Sequence, residues 1–172
     1  MKKKKRQQGF TLVETIVACA LLMMLISIFG SITIFTLNLS YREKEAAQVE
    51  IMADTLANRV DEILRGASQK ACGSDEYGYY IDFVSPDYPK YGTNHAETAR
   101  LHVYEGKLCI NYSGKDYPVG YLLLPDDSYE HMAASFKVVK DEKSLLRLNI
   151  TLNGTKYHTS YSRDFTVLLP NC

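Results

Sequence analysis

The chain contains no tryptophan and only five prolines among its 172 residues. None of those prolines precedes Pro86, so nothing in the first half of the chain forbids a long helix. Charge is missing from one place in particular: no charged side chain lies between Glu14 and Arg42. Such a stretch is foreign to a solvated protein surface. Also missing are a glycine-rich phosphate loop, a Gly-x-Ser-x-Gly elbow and a Cys-x-x-Cys pair, so no nucleotide, acyl-transfer or dithiol chemistry is signalled. The four histidines, His95, His102, His131 and His158, are not spaced as a metal site. Asp126-Asp127-Ser128 is acidic but lacks the pattern of an EF-hand and reads as a solvated turn. The expectation is a non-enzyme with no metal and no cofactor.

The formal net charge is zero, but it is unevenly distributed. Lys2, Lys3, Lys4, Lys5 and Arg6 hold five of the 20 basic residues. Beyond residue 9 the chain carries 15 basic and 20 acidic side chains, a net charge of −5. An acidic body does not favour nucleic acid as a direct ligand. After the basic cluster, Ile16–Leu37 is almost wholly apolar. About 20 such residues, at a rise of about 1.5 Å each, span a bilayer core, and a helix is the only single segment that satisfies its own backbone there. The basic residues before the run and the neutral Asn38-Leu39-Ser40 after it place the N-terminus in the cytoplasm and the rest of the chain outside.

Glu14 interrupts this pattern. A carboxylate at the head of an apolar span costs about 2–3 kcal/mol, and less near the interface, so such a residue usually has a partner and a function. Its surroundings, Gly9-Phe10-Thr11-Leu12-Val13-Glu14, resemble the processing site of type IV prepilins and pseudopilins: a basic leader ending in Gly, then Phe-Thr-Leu-Val-Glu and an apolar helix. The resemblance covers roughly residues 1–40. It implies that a prepilin peptidase cuts between Gly9 and Phe10, that the new amine of Phe10 is methylated, and that Glu14 neutralises such an amine during assembly with other pilin subunits. Major pilins often carry a proline in this helix; here there is only Gly30. An uncut anchor would share the basic residues and the apolar run but explains neither Gly9 nor Glu14. A secretory signal cut near Cys19 would hold Glu14 in its apolar core and leave the run continuing beyond the cut.

Past the apolar run, Val49, Ala53, Leu56, Val60, Ile63 and Ala67 fall on one stripe of a continuing helix, expected to pack on a sheet. Alternating or apolar segments then predict strands at Tyr79–Val84, Leu101–Tyr104, Leu108–Tyr112, Gly120–Leu124, Ser135–Lys140, Leu146–Leu152 and Phe165–Leu169. Residues 85–98 read as a loop. Glu105-Gly106-Lys107 marks one hairpin, and Asn153-Gly154 predicts a second with a type I′ turn, this last hairpin being expected to centre the sheet. The fold class is α+β and pilin-like: a long N-terminal helix on an antiparallel β-sheet. The domain boundaries are 1–9 for a cleaved leader, 10–41 for the membrane and assembly helix, 42–71 for its amphipathic continuation, and 72–172 for the β-rich extracytoplasmic domain.

Cys72, Cys109 and Cys172 share one compartment, which allows one internal disulfide and leaves one thiol over. All three pairings are open, with Cys109 favoured as a member. The resemblance implies a filament subunit of a pilus, secretion or competence machine, of minor pilin or pseudopilin type, with major pilin as the alternative. Its partners would be the peptidase, other subunits and membrane lipid. A reading of another class is an uncleaved single-span protein whose outer domain binds at the surface.

Overall fold

The computed structural model describes residues 11–84, 98–112 and 121–170. Gly9, Phe10, His95, Cys172 and nearly all of the expected 85–98 loop lie outside the described residues. The chain divides into two units, Met1–Tyr41 and Arg42–Cys172. Helix α1, Leu12–Arg65, is 54 residues long and runs through both.

In the first unit, the described part of α1 is exposed on every side, and it is long and apolar enough to cross a membrane. Several of its polar side chains turn back on their own helix. The hydroxyls of Ser31, Thr33 and Thr36 donate to the carbonyls of Ser27, Phe29 and Ile32, each at 2.9 Å. A hydroxyl satisfied in this way can enter a hydrocarbon environment without an unpaired donor. The helix passes Gly30 without a break.

The second unit is a helix packed on two antiparallel sheets. The expected stripe is the buried one: Val49, Ala53, Leu56, Val60, Ile63 and Ala67 are all in the core. The larger sheet has the order β1-β2-β3-β4-β5, with β1 Gln69–Asp75, β2 Gly78–Val84, β3 Ala99–Tyr104, β4 Lys107–Tyr112 and β5 Tyr121–Leu122. The smaller sheet has the order β6-β7-β8, with β6 Met132–Glu142, β7 Leu145–Gly154 and β8 Ser160–Leu168. Two sheets thus stand where one was expected, and β7 centres only the smaller. They are stitched together at Gly106, whose carbonyl accepts from Ala134 N at 2.6 Å, and at Lys70, whose ammonium bonds the Asp141 carboxylate and the Glu142 carbonyl. Ile81, Phe83, Leu101, Leu108, Leu146, Leu148, Ile150 and Leu152 form the sheet side of the core.

Strand β1 falls partly within the stretch expected to be helix. α1 stops at Arg65, and Ser68 N already bonds Val84 O. The β1 sequence Gln-Lys-Ala-Cys-Gly-Ser-Asp shows no apolar alternation; its full-length register with β2 holds it in place. The β3–β4 hairpin closes on Glu105 and Gly106, at φ of 48° and 74°. Positive φ at both central residues is the type I′ requirement.

Removing side-chain volume from this core carries the usual cost. Leu148 is fully buried and Leu168 is 62 % exposed. Leu148→Ala should lower the unfolding free energy by about 2–5 kcal/mol, and Leu168→Ala should change it by less than about 0.5 kcal/mol. Denaturant titration of the full chain in detergent, followed by tyrosine near-UV circular dichroism, compares the two.

Candidate functional site

The first turn of α1 is closed by its own side chains. Thr11 precedes the first helical residue, and its backbone N–H and hydroxyl both donate to Glu14 Oε2 at 2.9 Å. In return, Glu14 N donates to Thr11 Oγ1 at 3.3 Å. This is a capping box, in which a Thr and a Glu three residues later satisfy helix-start donors reciprocally. Both residues are exposed. An ionised carboxylate offers about four lone-pair sites, so Glu14 can hold Thr11 and still accept from a cation. The spacing that drew attention to Glu14 therefore has a local role as well. Gly9 and Phe10, the residues expected to flank the cut, are outside the described part.

A second glutamate on α1 escaped the sequence reading. Glu45 is only 8 % exposed, and it lies within the second unit. Its Oε1 accepts the N–H of Lys156 at 3.1 Å and of Tyr157 at 3.2 Å. Its Oε2 accepts the Thr159 hydroxyl at 2.7 Å and the Tyr157 N–H at 3.1 Å. Burial raises the pKa of this carboxyl, but the hydrogen bonds from Thr159, Tyr157 and Lys156 outweigh burial and hold it below the ordinary range.

This contact corrects the expected Asn153-Gly154 turn. β7 continues through Gly154, the β7–β8 register closes at Asn153 opposite Ser160, and Gly154–Thr159 forms the connection. Gly154 N bonds Thr159 O at 2.7 Å across its base. A Cβ at Gly154 would stand 2.5 Å from Thr159 Oγ1 and 2.6 Å from Glu45 Cδ. The glycine is needed for the close approach of a carboxylate, and the dipeptide signal was read for the wrong reason. The signal that could have found Glu45 was its place four residues before Val49, at the head of the apolar stripe.

The remaining candidates do not converge. Cys72 on β1 and Cys109 on β4 are free thiols. Two strands separate β1 from β4, and three strand spacings come to about 14 Å, beyond the reach of a disulfide. That removes the Cys72–Cys109 pairing. Burial, with Asp141 next in importance, pushes the Cys72 thiol up to about 12, which makes it a poor nucleophile at neutral pH. Cys172 is outside the described residues. Among the described residues, no three His, Cys, Asp or Glu side chains are grouped to hold a metal. Asp126 pairs with Lys107 at 2.5 Å.

Residues 4–30 match the family model of the prokaryotic N-terminal methylation motif, and the chain thereby carries the signature of type IV prepilins. The match takes in Gly9, Phe10 and Glu14 and much of the apolar run. No curated protein and no solved structure matches the chain.

The Glu45 contact generates a prediction. Glu45→Ala leaves two amides and a hydroxyl without their acceptor and should cost about 1–3 kcal/mol. Gly154→Ala should destabilise through the clash, and the double variant should cost less than the two changes added together, because the clash with Glu45 is gone and only that with Thr159 remains. The folded pKa of Glu45 lies below its unfolded value. Its contribution is therefore complete above the unfolded pKa and disappears as pH falls through the folded one. Urea titrations across acid pH should show the gap between the parent chain and Glu45→Ala closing as pH falls.

Proposed function

We propose that this chain is a structural subunit of a type IV pilus-like filament, processed by a prepilin peptidase and assembled through α1. The observation that carries this reading is the methylation motif at residues 4–30, placed at the head of a helix whose apolar side chains are exposed all round. Leu21, Leu22, Leu25, Ile26, Phe29, Ile32 and Phe35 are each more than half exposed. A surface of that kind needs lipid around it, or the equivalent helices of neighbouring subunits. A filament subunit needs both in turn.

The chemistry of the segment supports the reading. Hydrolysis of the Gly9–Phe10 amide would leave a carboxylate on the leader and an amine on Phe10, and the five basic residues Lys2–Arg6 would depart with the leader. The helix then begins with a cation, which its own N-terminal dipole disfavours. Glu14, in the first turn, is the acidic group available to neutralise that cation or the equivalent one of a neighbouring subunit. In this reading Gly9 and Phe10 form the cleavage site, Phe10 carries the methyl group, and Glu14 acts in assembly. The N-terminus is cytoplasmic and the Arg42–Cys172 unit extracytoplasmic. The regular final strand β8 favours a minor pilin or pseudopilin over a major one.

Mass spectrometry of the N-terminal peptide from the native host should give a mature chain that begins at Phe10 and carries an added methyl group. A chain that retains Lys2–Gly9 beside an active prepilin peptidase would leave only the anchored surface protein. Glu14→Gln should be processed normally yet be depleted from sheared filaments, measured as the ratio of filament to membrane subunit. Entry at the parent level would remove Glu14 from the assembly step.

A further inference from the structure

We propose that the cleft between strands β1 and β6 is a docking site for a short, extended, uncharged peptide segment of a partner protein, which adds to the edge of β1 as a further strand. The inference stands on the Arg42–Cys172 unit alone, so it goes beyond the filament reading and does not depend on it.

The strand registers fix which backbone groups face the cleft. The two-residue turn at Glu105-Gly106 makes Tyr104 and Lys107 a hydrogen-bonded pair, and along an antiparallel ladder bonding and non-bonding pairs alternate. Carried through β3 and β2, the alternation has Ala71 and Gly73 bonding β2 and turns the amides and carbonyls of Cys72 and Ser74 away from the sheet. On the other side, the bonds from Gly154 N to Thr159 O and from Leu169 N to Ser144 O set the β7–β8 alternation. Leu146 and Leu148 then bond β8, and their β6 partners Asp141 and Val138 face away from β7. The bond from Ala134 N to Gly106 O obeys the same alternation. Cys72, Ser74, Val138 and Asp141 all line one cleft of about 360 Å³, at the small end of the range for ligand sites. Among the described residues no backbone bond joins β1 to β6 across it. Two strand edges with unpaired groups facing one cleft offer what an added strand requires.

The side chains lining the cleft set the chemistry of its occupant. The β6 register shifts between Val138 and Lys140, a bulge that leaves Val139 without a partner on β7 and exposed. Tyr79, which lines the same cleft from β2, is exposed as well. A segment that covers both gains apolar contact on top of its backbone pairing. The charges at the rim are already paired: Lys70 with Asp141, and Lys140 with Glu142 at 2.5 Å. A charged side chain brought into the cleft would lose water and find no unpaired counter-ion among the lining residues, a cost that a neutral side chain does not meet. Burial and Asp141 keep the Cys72 thiol protonated, so that part of the wall is neutral too. The occupant that fits is an extended segment whose apolar side chains alternate with small neutral ones.

The test uses the full chain, isotope-labelled in detergent micelles, titrated with the capped peptide acetyl-Thr-Val-Thr-Val-Thr-amide and read by NMR. The amide signals of Cys72, Ser74, Val138 and Asp141 should shift saturably, and those of Cys72 and Ser74 should gain protection from hydrogen exchange. Acetyl-Thr-Lys-Thr-Asp-Thr-amide should bind more weakly. Val139→Ser, a change at an exposed position, should weaken binding of the valine peptide by about tenfold, the scale of a lost apolar contact in a pocket. Ser74→Pro removes an outward N–H and no ladder bond, and should weaken it as well. Ser162 and Asp164, whose amides face the free edge of β8, are the internal control. Shifts of equal size there would mark indiscriminate strand addition and overturn the proposal, as would a cleft without saturable shifts, or equal binding of the charged peptide. Cleft signals that move with protein concentration in the absence of peptide would seat a second copy there and overturn the assignment to a partner.

Discussion

One constraint governs this chain: a single 54-residue helix has to satisfy two surroundings. Up to Tyr41 its side chains are exposed in every direction and nearly all apolar; from Arg42 the apolar side chains gather mainly on one stripe, and that stripe is buried against the sheets. Backbone hydrogen bonding is the same in both halves, because a helix satisfies its amides internally whatever surrounds it. The pattern of side chains alone changes, and it does so within a few residues. The absence of proline before Pro86 lets the helix continue through that change.

The two glutamates of α1 show how each half tolerates a carboxylate. Glu14, at an exposed helix start, accepts the amide and hydroxyl of Thr11. Glu45, in a packed site, accepts two amides and a hydroxyl from the opposite end of the sequence. In neither case does a cation balance the charge within the described residues around it; N–H and O–H donors do. For Glu45 the consequence is architectural. The β7–β8 connection has no two-residue turn to shape it, and two of its amides are held by a residue on the helix.

Much of this was legible in the sequence, and the rest was hidden for identifiable reasons. The stripe from Val49 to Ala67 and the alternation of Leu146, Leu148, Ile150 and Leu152 were read directly, because burial on one face imposes a period on the residues themselves. Glu105-Gly106 announced its hairpin through a glycine that accepts positive φ. Strand β1 was invisible because its register comes from backbone pairing with β2 and its side chains carry no period. Asn153-Gly154 misled because a glycine needed for a close approach looks the same in sequence as one needed for a turn. The capping box and the processing motif overlap on Thr11 and Glu14, so one short string carried two meanings and only one was read.

That overlap bears on how a proposed processing step and an assembly step could share one segment. Lys2–Arg6 precede α1 in the sequence, the start of a helix favours negative charge, and Glu14 is the first acidic residue in the chain. Loss of the leader would replace five charges with one, at Phe10. Glu14 would then be the acidic residue nearest that amine in the sequence, with Thr11 already fixing the carboxylate on the first helical turn. A carboxylate oriented in advance loses less side-chain freedom when it pairs than a mobile one does. The same hydrogen bonds that start the helix would therefore favour pairing with an incoming amine, and a substitution at Thr11 would weaken that pairing without removing the charge on Glu14.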